Sequence, residues 1–192
     1  MTARVSKPDL HDQKGKRDVS YEASLVFSKR GETENVQGNA QKKQQLSDEE
    51  CIKILKEQLR GVLSVLGDDD YPYGMPINHY YCEKDGKIYF HGGQKGHKID
   101  AMRKHDKASF CVYDEGFRRE GEWALNIRSV IVFGRIEFVE DREKIYQIAT
   151  ELSYKFTSDK DYIQHELDNS GPGTLMFALV PEHITGKLVN ES

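Results

Sequence analysis

Cysteine is scarce in this sequence. Three cysteines occur in 192 residues, at Cys51, Cys82 and Cys111, and no two of them form a Cys-x-x-Cys pair. An odd number of widely spaced cysteines excludes a disulfide scaffold, and the missing pair pattern excludes a cysteine zinc site. This usage is typical of a reducing compartment. We therefore expect a cytoplasmic protein in which the three thiols are small buried hydrophobic groups.

Long apolar runs are also missing. No stretch approaches the roughly 20 apolar residues that a membrane-spanning helix requires, and residues 1–18 contain no apolar segment of the signal-peptide kind. The sequence therefore predicts a protein without membrane association and without a secretory signal.

The sequence also lacks an excess of positive charge. The 28 Lys and Arg residues against 32 Asp and Glu give a formal net charge of −4. A general nucleic-acid binder carries a basic stripe, so we expect no nucleic-acid partner. The charge is uneven, because residues 1–45 hold nine basic and six acidic residues and are +3, which leaves the remainder at −7.

Residues 1–44 differ from the rest in composition. They are polar apart from a short apolar island around Leu25 and Phe27. Such a segment cannot bury enough surface to offset the entropy of ordering it. We predict a flexible extension over residues 1–44, in which the island docks one turn or strand at most, and a single folded domain over residues 45–192.

The folded part begins with a helix signal. Ser47 and Glu50 form a capping box preceded by Leu46, and apolar residues at helical spacing predict a helix over residues 47–59. Short apolar runs separated by turn signals follow. They predict strands over 62–66, 73–82, 87–91, 108–113, 126–139 (bent at Gly134), 175–180 and 183–188, and helices over 97–104, 141–154 and 161–167. This order indicates a mainly β protein, a β-barrel with peripheral helices.

The segment Gly92–Lys98, with the sequence GGQKGHK, joins the third predicted strand to the following helix. Its glycines let the backbone approach a ligand and expose N–H groups. Lys95, His97 and Lys98 add positive charge at the N-terminal end of the helix, where anions bind. The combination suits a phosphate monoester, although the Walker A spacing is absent. A solvated connection has the same composition.

Other chemical motifs have weaker support. His91, His97 and His105 lack the i, i+4 spacing and the carboxylate partner of a zinc site, so no metal is expected. No G-x-S-x-G motif supports serine hydrolase chemistry. Trp123, the only tryptophan, either stacks on a planar ligand or serves as a core or interface aromatic.

Several motifs in fixed order resemble the pyridoxamine 5′-phosphate oxidase-like flavoproteins, and most closely the subgroup related to the nitroimidazole-resistance (Nim) proteins. The motifs are GVLSV at 61–65, YPYGMPIN at 71–78, IYFHG at 88–92, GHKID at 96–100, SVIVFGRI at 129–136 and ITGK at 184–187. The resemblance spans residues 46–187 and does not include the extension.

This resemblance implies an FMN-binding split β-barrel that works as a homodimer, with FMN in clefts at the subunit interface. It places His91 beside the flavin as the candidate catalytic residue. The other implied FMN contacts are Met75, Pro76, Ile77 and Asn78 along the ring edge, Gly96, His97 and Lys98 at the phosphate, and Trp123, Arg128 and Ser129 from the fifth predicted strand or the partner chain.

The sequence departs from the true pyridoxamine phosphate oxidases in two places. Their C-terminal Trp and Arg-x-His cluster has no counterpart in residues 173–192, and Met75–Asn78 replace the usual arginine-rich flavin contact. The resemblance therefore implies an FMN-dependent oxidoreductase that reduces a small, electron-poor, nitroaromatic-like acceptor, with His91 as proton donor. The alternatives are a flavin-binding module without catalysis, in which His91 is structural, and a haem-binding split barrel.

Overall fold

The computed structural model of the chain describes residues 44–170 and 173–191. The predicted extension, including Leu25 and Phe27, lies outside the described residues except for Gln44, so that prediction stays a prediction. The elements in chain order are α1 (Asp48–Glu57), β1 (Arg60–Leu66), β2 (Pro72–Asn78), β3 (Tyr80–Cys82), β4 (Lys87–Gly92), α2 (His97–Lys104), β5 (Lys107–Tyr113), β6 (Leu125–Val139), α3 (Arg142–Tyr154), α4 (Lys160–Ser170) and β7 (Leu175–Glu191).

The seven strands form one antiparallel sheet in the order β2-β1-β5-β6-β7-β4-β3, and this sheet curls into a half-barrel. The fold is therefore mainly β, with a split-barrel architecture and peripheral helices, as the sequence predicts. The curl also brings β2 close to β4 although the two strands are not neighbours in the sheet. No helix in the described part of the chain is long and apolar enough to cross a membrane.

The capping box starts α1 where the sequence predicts. The Ser47 hydroxyl accepts a hydrogen bond from the Glu50 amide at 3.3 Å, and the Glu50 carboxylate accepts one from the Ser47 amide at 2.9 Å. These bonds satisfy two amides that have no partner within the helix. The helix then buries Cys51, Ile54 and Leu55 against the sheet.

The predicted strand boundaries are wrong in two regions of the chain. The predicted strand over 73–82 is two strands, β2 and β3, because the chain breaks at His79, whose side chain is fully buried. The predicted strands over 175–180 and 183–188 are one strand, β7. Opposite this strand, Phe133 pairs with His183 and Gly134 with Pro181, so one extra β7 residue produces a bulge at the predicted bend.

The hydrophobic core has two parts, which lie on opposite faces of β4. The larger part lies inside the curled sheet, where Phe90 packs against Phe110 at 5.2 Å and against Phe177 at 5.4 Å between ring centroids. The smaller part lies between the sheet and α3 and includes Tyr89 and Ile148. Because alternate β4 side chains enter different cores, β4 is buried along most of its length.

Candidate functional site

The N-terminus of α2 is an open end that exposes backbone amides. Gly96 precedes the helix with φ 120°, a conformation that favours glycine, and no side chain caps the helix. The first amides of a helix have no intrahelical partner and carry a partial positive charge. A Cβ added at Gly93 or at Gly96 would meet nothing within 4 Å. This end of the helix can therefore accept an anion.

Lys98 supplies a positive charge beside these amides. A Cβ at Gly92 would lie 2.8 Å from the Lys98 Nζ, so the lysine side chain reaches back over the end of β4. The charge reaches the preceding strand, because burial and then Lys98 lower the pKa of His91. The half-buried Lys98 side chain thus places its ammonium at the β4–α2 corner.

His97 connects α2 to the turn between β1 and β2. Its ring packs edge-on against Tyr73 with the centroids 4.7 Å apart, and its Nδ1 lies 3.4 Å from an Asp68 carboxylate oxygen. Its Nε2 lies against Gly67, 3.3 Å from the position that a Cβ would take. Both ring nitrogens of His97 therefore face this turn. The positive charge that could attract an anion comes instead from Lys98 and from the main-chain amides at the start of α2.

The residues predicted along the flavin ring lie on β2, which begins beside this helix end. The Met75 side chain is buried in the core, Pro76 is exposed, and Ile77 and Asn78 are half-buried. In the described part of the chain β2 is an edge strand, so part of its backbone hydrogen-bonding capacity faces outward. The structure thus brings the predicted ring and phosphate contacts together along β2 and the start of α2.

Asn78 has an oriented side chain. Its Oδ1 accepts a hydrogen bond from the Arg60 Nε at 2.9 Å, and Arg60 is its cross-strand partner on β1. Because the amide oxygen is occupied, the NH₂ group is the part of Asn78 left to donate to a ligand. Sequence reasoning missed Arg60, which could have been found only from the hairpin register.

The buried His79 and the half-buried Lys155 anchor the far end of β2, and the sequence did not indicate either role. The His79 Nε2 lies 2.8 Å from the Leu55 carbonyl oxygen at the end of α1. The Lys155 Nζ donates to the carbonyl oxygens of Gln58 at 2.7 Å and of His79 at 3.0 Å. Burial and then Lys155 lower the pKa of His79 to about 3, and burial lowers the pKa of Lys155 to about 8.

His91 lies near the end of β4 on the face that is turned to α3. It is exposed and lines a cavity of 570 Å³ between β4, α3 and α4. Its lowered pKa leaves the imidazole neutral at neutral pH, so one ring nitrogen can donate a hydrogen bond while the other accepts one.

Trp123, Arg128 and Ser129 lie elsewhere, on the β5–β6 loop and at the start of β6. Arg128 pairs with Asp114 at 3.1 Å, and Trp123 is 77% exposed. Two strands, β1 and β5, lie between β6 and β2 in the sheet. The strands β6 and β2 are therefore three interstrand spacings apart, or about 14 Å perpendicular to the strands. A single copy of the chain does not bring these residues into contact with the β2 set.

Across residues 44–170 and 173–191, no three His, Cys, Asp or Glu side chains are grouped so that they could hold a metal ion. His97 lies at the β1–β2 turn and His91 at the cavity, so these two histidines do not face a common site.

Comparisons with known proteins agree with the observed fold. Residues 47–188 match the family model described as pyridoxamine 5′-phosphate oxidase. An FAD-binding protein from Mesorhizobium loti is 25% identical, with TM-score 0.54 over 76% of this chain and 96% of that one. A candidate 5-nitroimidazole antibiotic resistance protein from Bacteroides thetaiotaomicron is 16% identical, with TM-score 0.63 over 76% and 87%.

The flavocytochrome Anf3 from Azotobacter vinelandii is also 16% identical, with TM-score 0.60 over 82% of this chain and 74% of that one. At this identity the likeness concerns the fold alone. No curated protein matches the sequence.

Proposed function

The chain belongs to the pyridoxamine 5′-phosphate oxidase family, and from that premise we propose that it binds FMN and reduces a small, electron-poor organic acceptor. The observation that carries the proposal is the placement of β2 beside the uncapped start of α2 and Lys98. This arrangement offers an anion site and a ring-binding strand in one continuous surface. The flavin-binding proteins that share the fold support the same cofactor class.

The phosphate end of the surface fits a single phosphate monoester. Gly93 and Gly96 leave open space beside the first α2 amides, and Lys98 is held next to them. The turn Asp68–Asp70 carries three carboxylates and lies against His97 on the other side. These carboxylates disfavour further negative charge, which is our reason for proposing FMN rather than the diphosphate-bearing FAD.

The ring end of the surface offers donors and acceptors of the kind that a flavin needs. The Asn78 amide would donate to a ring carbonyl, and outward-facing β2 backbone groups would pair with other polar ring atoms. FMN supplies the electron transfer when it is bound. His91, neutral at neutral pH, would act as a proton relay: one ring nitrogen takes up a proton from water as the other N–H gives its proton to the reduced acceptor.

We propose a homodimer because the predicted contacts are divided between two places on one chain. Between β2 and the start of β6, a row of apolar residues crosses the outer face of the sheet. The residues are Pro76, Val62, Cys111 and Ile131, which pair in register on four adjacent strands. A second copy that covers this row would bring its own Trp123, Arg128 and Ser129 toward β2.

An absorption spectrum of the purified protein tests flavin binding, and chromatography of the released cofactor distinguishes FMN from FAD. Bound flavin should be bleached by a reductant and reoxidised by a nitroaromatic compound. Bound flavin that is never reoxidised by such a compound would identify a flavin-binding module without catalysis. A haem Soret band that is lost in His91→Ala would favour a haem-binding protein.

Sedimentation tests the assembly. Ile131→Glu places a charge in the apolar row and should give a monomer that loses FMN. Tyr162→Glu, at an exposed aromatic on α4, is the matched control and should remain a dimer with FMN. A wild-type monomer with full flavin occupancy would contradict the interface model.

A further inference from the structure

The cavity beside His91 is a binding space distinct from the proposed FMN surface. Its volume is 570 Å³, and pockets of about 300–1,000 Å³ hold small organic ligands in proteins. Its walls come from α3, α4, the end of β4 with the loop after it, the β6–α3 connection and the residue before β7, and none of them comes from β2 or the α2 helix. His91 and Gln94 are the two lining residues that lie between the cavity and the α2 corner.

The floor of the cavity is apolar. Ile145, Ala149 and Leu152 recur on one face of α3, and Leu167 faces them from α4. An aliphatic floor of this kind suits the face of a flat ring. It does not suit a ligand that is polar throughout, because such a ligand would lose its hydration without gaining replacement hydrogen bonds.

The charged lining residues are acidic on balance. Glu140 and Glu166 contribute two carboxylates and Arg142 one guanidinium, and none of the three forms an ion pair with another described residue. Because His91 is neutral at neutral pH, the charged lining sums to −1.

Two hydroxyl groups of the cavity lining already have partners. The Tyr146 hydroxyl donates to the Gln164 amide oxygen at 2.7 Å, and the Ser153 hydroxyl donates to the Ala149 carbonyl oxygen at 2.8 Å. The carboxylates of Glu140 and Glu166 are therefore the principal acceptors left for a ligand.

We propose that this cavity binds a small planar organic cation, with its ring on the aliphatic floor and its positively charged nitrogen paired with Glu140 and Glu166. An anionic ring, such as a phosphorylated pyridine, fits the same floor but meets the wrong charge at the rim. The binding itself does not require flavin. The assignment of this ligand as the electron acceptor rests on the proposed function, because His91 borders both regions.

Three isosteric probes test the charge preference: benzamidine, benzamide and benzoate. They are titrated by calorimetry into the full-length protein, once without added flavin and once with FMN. We expect benzamidine to bind about fivefold more tightly than benzamide, since exposed ion pairs contribute modestly, and benzoate to bind most weakly. Benzoate that binds as tightly as benzamidine, or no binding of any probe, would overturn the proposal.

Rim variants locate the site. Glu140→Gln and Glu166→Gln should each weaken benzamidine binding about threefold and leave benzamide binding unchanged. Glu143→Gln, in the first turn of α3 but outside the cavity lining, is the matched control and should change neither. These exposed substitutions remove no core contact, so folding is not at risk. Benzamidine affinity that is unchanged in both rim variants would place the binding elsewhere.

The two proposals fail separately. If the protein does not bind FMN, benzamidine binding in the flavin-free titration still supports the cavity site. If benzamidine does not bind while flavin bands are present, the cavity proposal is wrong and the proposed cofactor stands.

Discussion

His79 and His91 lie at the ends of two strands of the same sheet, in opposite surroundings. In each case burial and a nearby lysine lower the pKa, Lys155 for His79 and Lys98 for His91. The His79 ring is fully buried, lies edge-on to Phe110 at 4.8 Å and is bonded to a helix carbonyl. The His91 side chain is only partly shielded from water and remains exposed at a cavity.

A histidine and a lysine thus occur at two corners of the sheet and serve different purposes there. At the β2–β3 corner, the histidine and lysine satisfy carbonyl groups at the end of α1 and thereby attach it to β2 and α3. At the β4–α2 corner, Lys98 lies over a glycine and the histidine keeps both ring nitrogens for other partners. Hydrogen bonds to the main chain therefore make the first corner structural and leave the second available for chemistry.

The largest expected effect is on stability. His79→Ala removes the bond to Leu55 and leaves a cavity beside Phe110, and should lower the free energy of unfolding by about 3 kcal/mol. His91→Ala, at an exposed position, should lower it by less than about 0.5 kcal/mol. Urea unfolding of both variants measures the difference. Equal losses would mean that the two corners are not distinct.

The next effect is on cofactor binding. Lys98→Glu places a negative charge beside the proposed phosphate site and should weaken FMN about 100-fold, or about 2.7 kcal/mol. Lys95→Glu is the control at the exposed loop and should have a smaller effect, because Lys95 is not held against β4. Quenching of FMN fluorescence measures both. Unchanged affinity in Lys98→Glu would place the phosphate elsewhere.

The third effect is a pH dependence of stability. The folded protein keeps His79 neutral down to a pKa of about 3, whereas an ordinary histidine takes up its proton near 6.5. The unfolded chain therefore binds one more proton between these values. This group should lower stability by up to about 1.4 kcal/mol for each pH unit as the pH falls through that window.

His79→Gln removes the titrating group and tests this pH dependence. In urea unfolding measured from pH 7 to pH 4, the variant should lose stability less steeply than the wild type. His91→Gln is the control and should follow the wild-type slope more closely. Parallel curves for His79→Gln and the wild type would show that His79 does not carry the dependence.

The smallest effect concerns the orientation of Asn78. Arg60→Ala frees the amide oxygen, so the NH₂ group is no longer directed, and FMN should bind about fivefold more weakly, or about 1 kcal/mol. Lys56→Ala, which removes a surface pair with Glu83, is the control and should leave FMN affinity unchanged. If Arg60→Ala binds FMN as tightly as the control variant does, Arg60 does not contribute to the FMN site.

Much of the candidate site follows from sequence motifs, but not its geometry. The motifs at 71–78 and 96–100 indicated the strand and the helix end that the fold places side by side. The direction of His97 toward Asp68 did not follow from them, because the turn that carries Asp68 is almost 30 residues earlier in the chain. The distance between Trp123 and β2 also could not be predicted, because it depends on the order of the strands in the sheet.

The features that can be predicted from the sequence alone are local ones, namely the starts of helices and the positions of strands. The capping box at Ser47 and Glu50 placed the start of α1, and the glycine-rich segment placed the start of α2, because these signals act within a few residues of each other. Short apolar runs separated by turn signals indicated the strands and hence the mainly β class.

The break between β2 and β3, the Lys155 contacts and the cavity depend on long-range contacts in the folded chain. The break at His79 depends on a carbonyl at Leu55, and the Lys155 contacts join residues 97 and 76 positions apart. The cavity beside His91 exists because α3 and α4 pack over β4. Contacts between residues distant in sequence form only when the whole sheet closes, so no local pattern could specify them.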